Sequence, residues 1–252
     1  VLKGIDLCRK IIGDDNVSVL MTTTNLTLDY PIEIIDDYMK HGFRNIFLRP
    51  ISPYGFATKS PKKNKYEVEL FLKFYKTAFD HIIQLNLNGK KMTEDYATII
   101  LTKILTPFPT GYVDLQSPAG LISGVVVYNY DGKVFASDEA RMLAEMNDYT
   151  FQIGHVTDTY IDLFGGQKAM DISQYSTNES LPGCSECGFQ TYCGADPVFN
   201  HATQQDMVGH RPTSSFCTRN MEIIRFLFEK FLNEPILETV FDSWVYKYDL
   251  KL

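Results

Sequence analysis

The sequence predicts an α/β chain, with a parallel-sheet unit in the first hundred residues and an α+β region carrying most of the cysteines after it. Three observations carry this. A strand, a helix and a second strand follow one another between Val17 and Leu48; Pro107, Pro109 and Gly111 then break the chain; and four of the five cysteines gather at 184, 187, 193 and 217. The boundary is placed at the break, giving regions 1–108 and 109–252.

Val1, Leu2, Ile5, Leu7, Cys8, Ile11 and Ile12 recur at helical spacing until Gly13 stops the run. Cys8, on the apolar face, reads as a small core residue. Val17–Thr24 is short and β-rich. Asp29, Tyr30 and Pro31 offer a cap and a first-turn proline to a helix striped by Ile34, Ile35, Tyr38 and Met39 and ended at Gly42. Asn45–Leu48 is the next strand, and this order is the pattern of a βαβ unit in a parallel sheet. Ligands of such sheets bind at the strand C-terminal ends, here Thr22–Asn25 and Arg49–Tyr54. A long helical pattern covers Lys65–Leu87, and Thr93, Glu94 and Asp95 open another that runs to Leu105. Past the break, Val125–Tyr128 and Val134-Phe135 flank Tyr130-Asp131-Gly132, a hairpin with a favoured Asp-Gly turn. Asn220–Phe231 reads as a closing amphipathic helix, with Trp244 and its aromatic neighbours as packing.

Composition removes several classes. The net charge of −7 argues against nucleic-acid binding, which depends on Lys and Arg neutralising phosphates. The locally basic stretch Lys59–Lys65 reads as a solvated loop. No window approaches a bilayer span and no signal peptide opens the chain, so no membrane partner and a cytoplasmic location are expected. The chain starts Val-Leu-Lys inside a helical pattern, which reads as a fragment.

The cysteine spacing is Cys184-x2-Cys187-x5-Cys193-x23-Cys217, set among Gly183, Gly188 and Gly194. Four thiolates can enclose one tetrahedral zinc ion or one cubane iron–sulfur cluster, and glycines let backbone N–H groups approach an inorganic core. Disulfides and free buried thiols are the remaining alternatives.

The segment Pro182-Gly-Cys-Ser-Glu-Cys-Gly-Phe-Gln-Thr-Tyr-Cys-Gly194 resembles the SPASM domain, the auxiliary-cluster module of many radical S-adenosylmethionine (SAM) maturases. The resemblance implies a [4Fe–4S] cluster on Cys184, Cys187, Cys193 and Cys217. It also implies that a second ligand set is gone: where relatives carry cysteines this chain has Ser137 in Gly132-Lys-Val-Phe-Ala-Ser137, a non-cysteine near Ile122, and Pro197. The βαβ region resembles the later strands of the radical SAM barrel. The implied fold is thus the C-terminal half of a radical SAM partial (β/α)6 barrel followed by a small α+β SPASM-type iron–sulfur domain. Phe47-Leu-Arg-Pro-Ile-Ser-Pro53 places Ile51 where relatives pack an apolar residue on the SAM adenine, although a plain core or loop isoleucine fits equally. Asp138, next to Ser137, sits where sulfatase-maturing relatives have an Asp that accepts a substrate proton; with Glu139 and Arg141 it could equally form a surface ion-pair cluster.

Three segments together resemble the His-Xaa-Ser system maturases: Arg-Pro-Ile-Ser-Pro-Tyr-Gly-Phe-Ala from Arg49, Tyr-Asp-Gly-Lys-Val-Phe-Ala-Ser-Asp-Glu-Ala-Arg from Tyr130, and Cys-Gly-Phe-Gln-Thr-Tyr-Cys-Gly-Ala-Asp-Pro from Cys187. That implies radical modification of a ribosomally made peptide or protein, a His-Xaa-Ser repeat protein among the candidates, with a partner maturase and a flavodoxin or ferredoxin as electron donor. SAM and a second, catalytic [4Fe–4S] cluster belong to the intact enzyme. The Cys-x3-Cys-x2-Cys loop that holds the catalytic cluster is absent from this sequence, so the chain alone is expected to be inactive. His155, His201 and His210 read as structural or surface residues. The rival class is a non-enzymatic zinc-binding module, four thiolates stapling a peptide-recognition surface.

Overall fold

A computed structural model describes residues 1–55 and 66–250. The basic stretch Lys59–Lys65 and the end of the Arg49–Ala57 motif lie outside them, wholly or in part. The chain divides into two compact units, Val1–Ile51 with Lys65–Leu101 and Glu229–Leu252, and Ser52–Asn64 with Thr102–Phe228.

In the first unit, β1 (Leu20–Thr22), β2 (Asn45–Arg49) and β3 (Thr93–Glu94) form a parallel sheet in that order. The register is Leu20↔Phe47, Met21↔Leu48 and Thr22↔Arg49, then Asn45↔Thr93 and Ile46↔Glu94. Along β2, Ile46 and Leu48 are buried while Asn45, Phe47 and Arg49 are half-buried, the two-residue period of a strand with unequal faces. Between β1 and β2 runs α2 (Pro31–Lys40), whose Pro31 occupies the first turn, where no N–H is needed. Asp29 supplies no side-chain cap, and of the apolar stripe only Ile35 is buried. Gly42 ends the helix at φ +81, a conformation costly for any residue with a Cβ.

Helix α3 (Val68–Leu87) supplies the largest single share of this unit's core, including Phe71, Phe74, Tyr75, Phe79, Ile82 and Ile83. After β3 comes α4 (Asp95–Leu105). The last part of the chain joins the first unit, because the Phe79 ring meets Phe241 at 6.3 Å and Trp244 at 5.8 Å. Each such buried aromatic contributes about 1.5–3 kcal/mol by removal from water. The 108/109 division therefore differs from the packing: the C-terminal segment is tied to α3, far upstream, by aromatic burial that adjacency in sequence does not reveal. Helix α1 (Leu2–Ile12) buries no residue. Cys8 is exposed rather than core, and the helix is held instead by Arg9, whose guanidinium lies 4.4 Å from the Phe43 ring and donates to the His41 carbonyl at 2.7 Å.

In the second unit β4 (Val127–Tyr128), β5 (Lys133–Phe135) and β6 (Gln152–His155) form an antiparallel sheet in that order. The hairpin is as the Asp-Gly turn predicts, with Gly132 at φ +84. Helix α5 (Asp138–Ala144) follows, capped by the Ser137 hydroxyl accepting from Ala140 N. Next come α6 (Tyr160–Gly165), begun by a Thr159/Asp162 capping box, and α7 (Gln167–Gln174). Past the cysteine segment lie α8 (Pro197–Gln204) and α9 (Ser215–Asn233), the latter through Phe228. The closing helix α10 (Leu237–Val245) belongs to the first unit. The core of the second unit gathers Tyr54, Leu121, Val134, Phe135, Phe151, Val198, Phe199 and Phe216. Among the described residues no helix is long and apolar enough to cross a membrane.

Candidate metal centre

All four predicted ligands lie in the second unit as free thiols, half-buried and close to turns that bring them inward. Cys184 N–H donates to Leu181 O at 3.1 Å, and Cys187 N–H to Cys184 O at 3.0 Å, so the Cys-x2-Cys pair sits on consecutive tight turns. Gln190–Tyr192 then forms one 3₁₀ turn that delivers Cys193. Gly194 has a strict steric reason: a Cβ there would lie 2.1 Å from the Asp114 carbonyl oxygen. Cys217 enters from the first turn of α9, its N–H held by Ser214 Oγ at 3.3 Å.

The thiols share one electrostatic neighbourhood. Burial pushes Cys193 up to about 11, with Cys184 and Cys217 adding to the rise. Cys184 and Cys217 are also raised, chiefly by burial, and each feels Cys187. Such a set resists ionising on its own and accepts a positively charged inorganic core, which converts thiols to thiolates. The polar groups around it come from far along the sequence. Asn220 Nδ2 lies 3.9 Å from Cys193 Sγ, Lys103 Nζ donates to the Cys193 carbonyl at 3.2 Å, and Arg211 lowers both Cys184 and Cys217. Sequence reading missed all three, since no motif links positions 103, 211 and 220 to the cysteines.

Four thiolates on one zinc stand about 3.8 Å apart, given a Zn–S distance of about 2.3 Å. Among the described residues no three His, Cys, Asp or Glu side chains converge closely enough to hold a metal ion. The donor set, four uncrosslinked thiols in one field without a carboxylate or imidazole among them, is of the chemical kind that suits a thiolate-bound zinc or an iron–sulfur core.

The positions where the resemblance implied further cysteines have other work. Ser137 is buried as the α5 cap, Pro197 is buried in the first turn of α8, and Ile122 packs beside the apolar core. Ile122 holds φ +65, which is rare for a β-branched residue, and its N–H donates to Val125 O and Ala136 O, both at 3.0 Å.

Asp138 is largely exposed, at the first turn of α5, and its carboxylate meets Arg141 Nε at 3.4 Å. The inward acid is its neighbour. Glu139 is raised by burial and by Asp114; Asp196, the α8 cap, is raised by burial, Asp114 and Glu139; the buried Tyr54 phenol is raised by burial and by all three. Arg219 offsets part of this negative field. The grouping escapes the sequence because its members come from four separate segments.

In the first unit, Ile51 follows β2 half-buried, its N–H donating to Tyr66 Oη at 2.9 Å; that hydroxyl in turn donates to Thr23 O at 3.2 Å. The histidines behave structurally. His155 ends β6 and contacts Thr157 at 3.0 Å; His201 bonds Asp148 at 2.7 Å; His210 contacts Thr213 at 3.1 Å.

No protein-family model matches the chain, and no curated protein matches it significantly. Solved structures do. A structure titled native anSMEcpe with bound AdoMet, an anaerobic sulfatase-maturating enzyme, aligns with TM-score 0.63 and 17% identity over 86% of this chain and 56% of that one. The same enzyme with AdoMet and the Cp18Cys peptide aligns with TM-score 0.68 and 16% identity over 92% and 60%, and the polyhistidine-tagged form with TM-score 0.69 and 16% over 99% and 62%. The chain thus spans about three fifths of the length of these structures, and at this identity what it shares with anSMEcpe is the fold.

Proposed function

We propose that this chain is the C-terminal part of a radical SAM enzyme that modifies a ribosomally made peptide or protein, with one auxiliary [4Fe–4S] cluster on Cys184, Cys187, Cys193 and Cys217. The observation that carries the reading is four free thiols in one electrostatic neighbourhood, within a chain that shares the fold of a radical SAM maturase. The neighbour was solved with AdoMet and with peptides, which supports a peptide substrate here. The motif resemblance adds the narrower assignment to the His-Xaa-Ser system. In the whole protein, SAM and a catalytic cluster would supply the radical chemistry; lacking the Cys-x3-Cys-x2-Cys loop, this chain alone is expected to be inactive.

The roles of its own residues follow. The four cysteines hold the auxiliary cluster. Ile51, anchored through its N–H by Tyr66, offers an apolar surface to the adenine of SAM. Asp138 is exposed and tied to one partner on its own helix, so its carboxylate is accessible to a peptide and accepts the proton that the oxidised substrate releases.

The test is metal analysis of the full chain after anaerobic reconstitution with iron and sulfide. About four irons per chain, with matching sulfide and a brown colour, is the expected result. A colourless protein holding one zinc moves the chain to the zinc-stapled binding class, and a reproducible load near eight irons overturns the single-cluster assignment.

A further inference from the structure

Arg211 stands beside the cysteines with its hydrogen-bonding capacity only partly used. Its Nη2 donates to the Val208 carbonyl, which fixes the guanidinium. Its Cγ lies 3.0 Å from where a Cβ on residue 183 would be, so the stem runs against the backbone immediately before Cys184. That approach needs Gly183, which sits at φ +75. Nε is different: it is buried and has no hydrogen-bond partner among the described residues.

A buried N–H left without an acceptor is costly, so a fixed guanidinium in this state marks a place where an acceptor is missing. The ionisable groups that feel its charge here are the Cys184 and Cys217 thiols. Cys193 has its own donors, the Asn220 amide at its sulfur and Lys103 at its carbonyl.

Building on the proposed auxiliary cluster, we infer that Arg211 donates its Nε–H to the sulfur shell held by Cys184 and Cys217, and that this charge-assisted bond raises the cluster's affinity for an electron. Reduction adds negative charge to the cluster, and a cationic donor at its sulfurs stabilises that state more than the oxidised one. Arg211 is a positioning and tuning residue; it performs no step of the reaction.

The experiment uses the full chain reconstituted anaerobically with iron and sulfide, as wild type, Arg211→Met and Arg211→Lys. The midpoint potential is read by titration followed by electron paramagnetic resonance at matched iron content. Arg211→Met is expected to shift the midpoint to more negative values, and Arg211→Lys to recover only part of the shift because lysine keeps the charge without the fixed Nε fork. In parallel, wild-type protein labelled with ¹⁵N-arginine should show nitrogen coupling to the reduced cluster by pulsed resonance, and either variant should lose it. An unmoved midpoint in Arg211→Met, full recovery in Arg211→Lys, or no coupling in the wild type overturns the inference. If Arg211→Met holds no iron, the wild-type coupling and its loss in Arg211→Lys decide. A wild type that binds no iron rejects the cluster reading itself, and the Arg211 assignment falls with it.

Discussion

Glu94 lies fully buried at the junction of β3 and α4 with no cation beside it among the described residues. Its carboxylate accepts from Tyr75 Oη at 2.6 Å, Ala97 N at 2.6 Å and Leu48 N at 3.0 Å, tying β2, α3 and α4 together. Burial raises its pKa from 4.5 to about 7, although the three donors pull the other way. A carboxyl whose folded pKa exceeds its unfolded value binds its proton more tightly when folded. Its contribution to stability is therefore complete below the unfolded pKa of 4.5, and is lost as pH rises through 7. Between pH 5 and 8.5 the loss is roughly 2–3 kcal/mol, at 1.36 kcal/mol per unit of separation. Glu94→Gln removes the titration while giving up one of the three accepted bonds, so its stability should be nearly flat over the same range. The assay is urea unfolding at both pH values followed by Trp244 fluorescence. Trp244 is the chain's one tryptophan and is buried in the same unit as Glu94. The comparison of the two proteins cancels every other titrating group. A wild-type slope equal to that of Glu94→Gln would refute the reasoning.

Three further outcomes are expected. Cys187→Ala should abolish iron loading and leave residues 182–217 open to proteolysis, because metal binding is folding energy in small metal domains; unchanged iron content would exclude Cys187 as a ligand. On the proposed function, Asp138→Asn in the whole protein should lower peptide modification by about 10²–10⁴-fold while 5′-deoxyadenosine formation persists. Both products are quantified at equal iron, and parallel loss of the two would make Asp138 structural. Gly194→Ala puts a methyl against the Asp114 carbonyl and should cost roughly 2–4 kcal/mol, read as a lowered urea midpoint with reduced iron retention; a wild-type midpoint would mean the backbone moves freely there.

Periodicity was informative wherever structure is local. The 3.6-residue pattern of α3 and the Asp-Gly hairpin were legible because their hydrogen bonds close within a few residues. The local turns at the cysteines were legible from their spacing, since Cys184, Cys187 and Cys193 lie on consecutive short turns, whereas their service to one centre is the proposal made above. The sequence at Thr93 and Glu94 predicts a helix start, because two residues carry no strand period; Thr93 is strand only through pairing with β2, its N–H on Arg44 O. Cys8 shows the same limit from the other side, since an apolar stripe specifies a face and says nothing about what covers it.

What the sequence by itself determined was a candidate chemistry, four cysteines at metal-binding spacing in an acidic α/β chain, and the residue types at the strand ends. Tertiary structure alone decided which groups stand around that chemistry. Lys103, Arg211 and Asn220 meet the cysteines across gaps of up to about ninety residues. Glu139 turns inward where its neighbour Asp138 turns to solvent, and 229–252 joins the first unit through Phe241 and Trp244. Sequence spacing carries contacts within a turn or two of chain; contacts between distant segments are selected by which apolar faces can be buried together, a property of the assembled core rather than of any one segment.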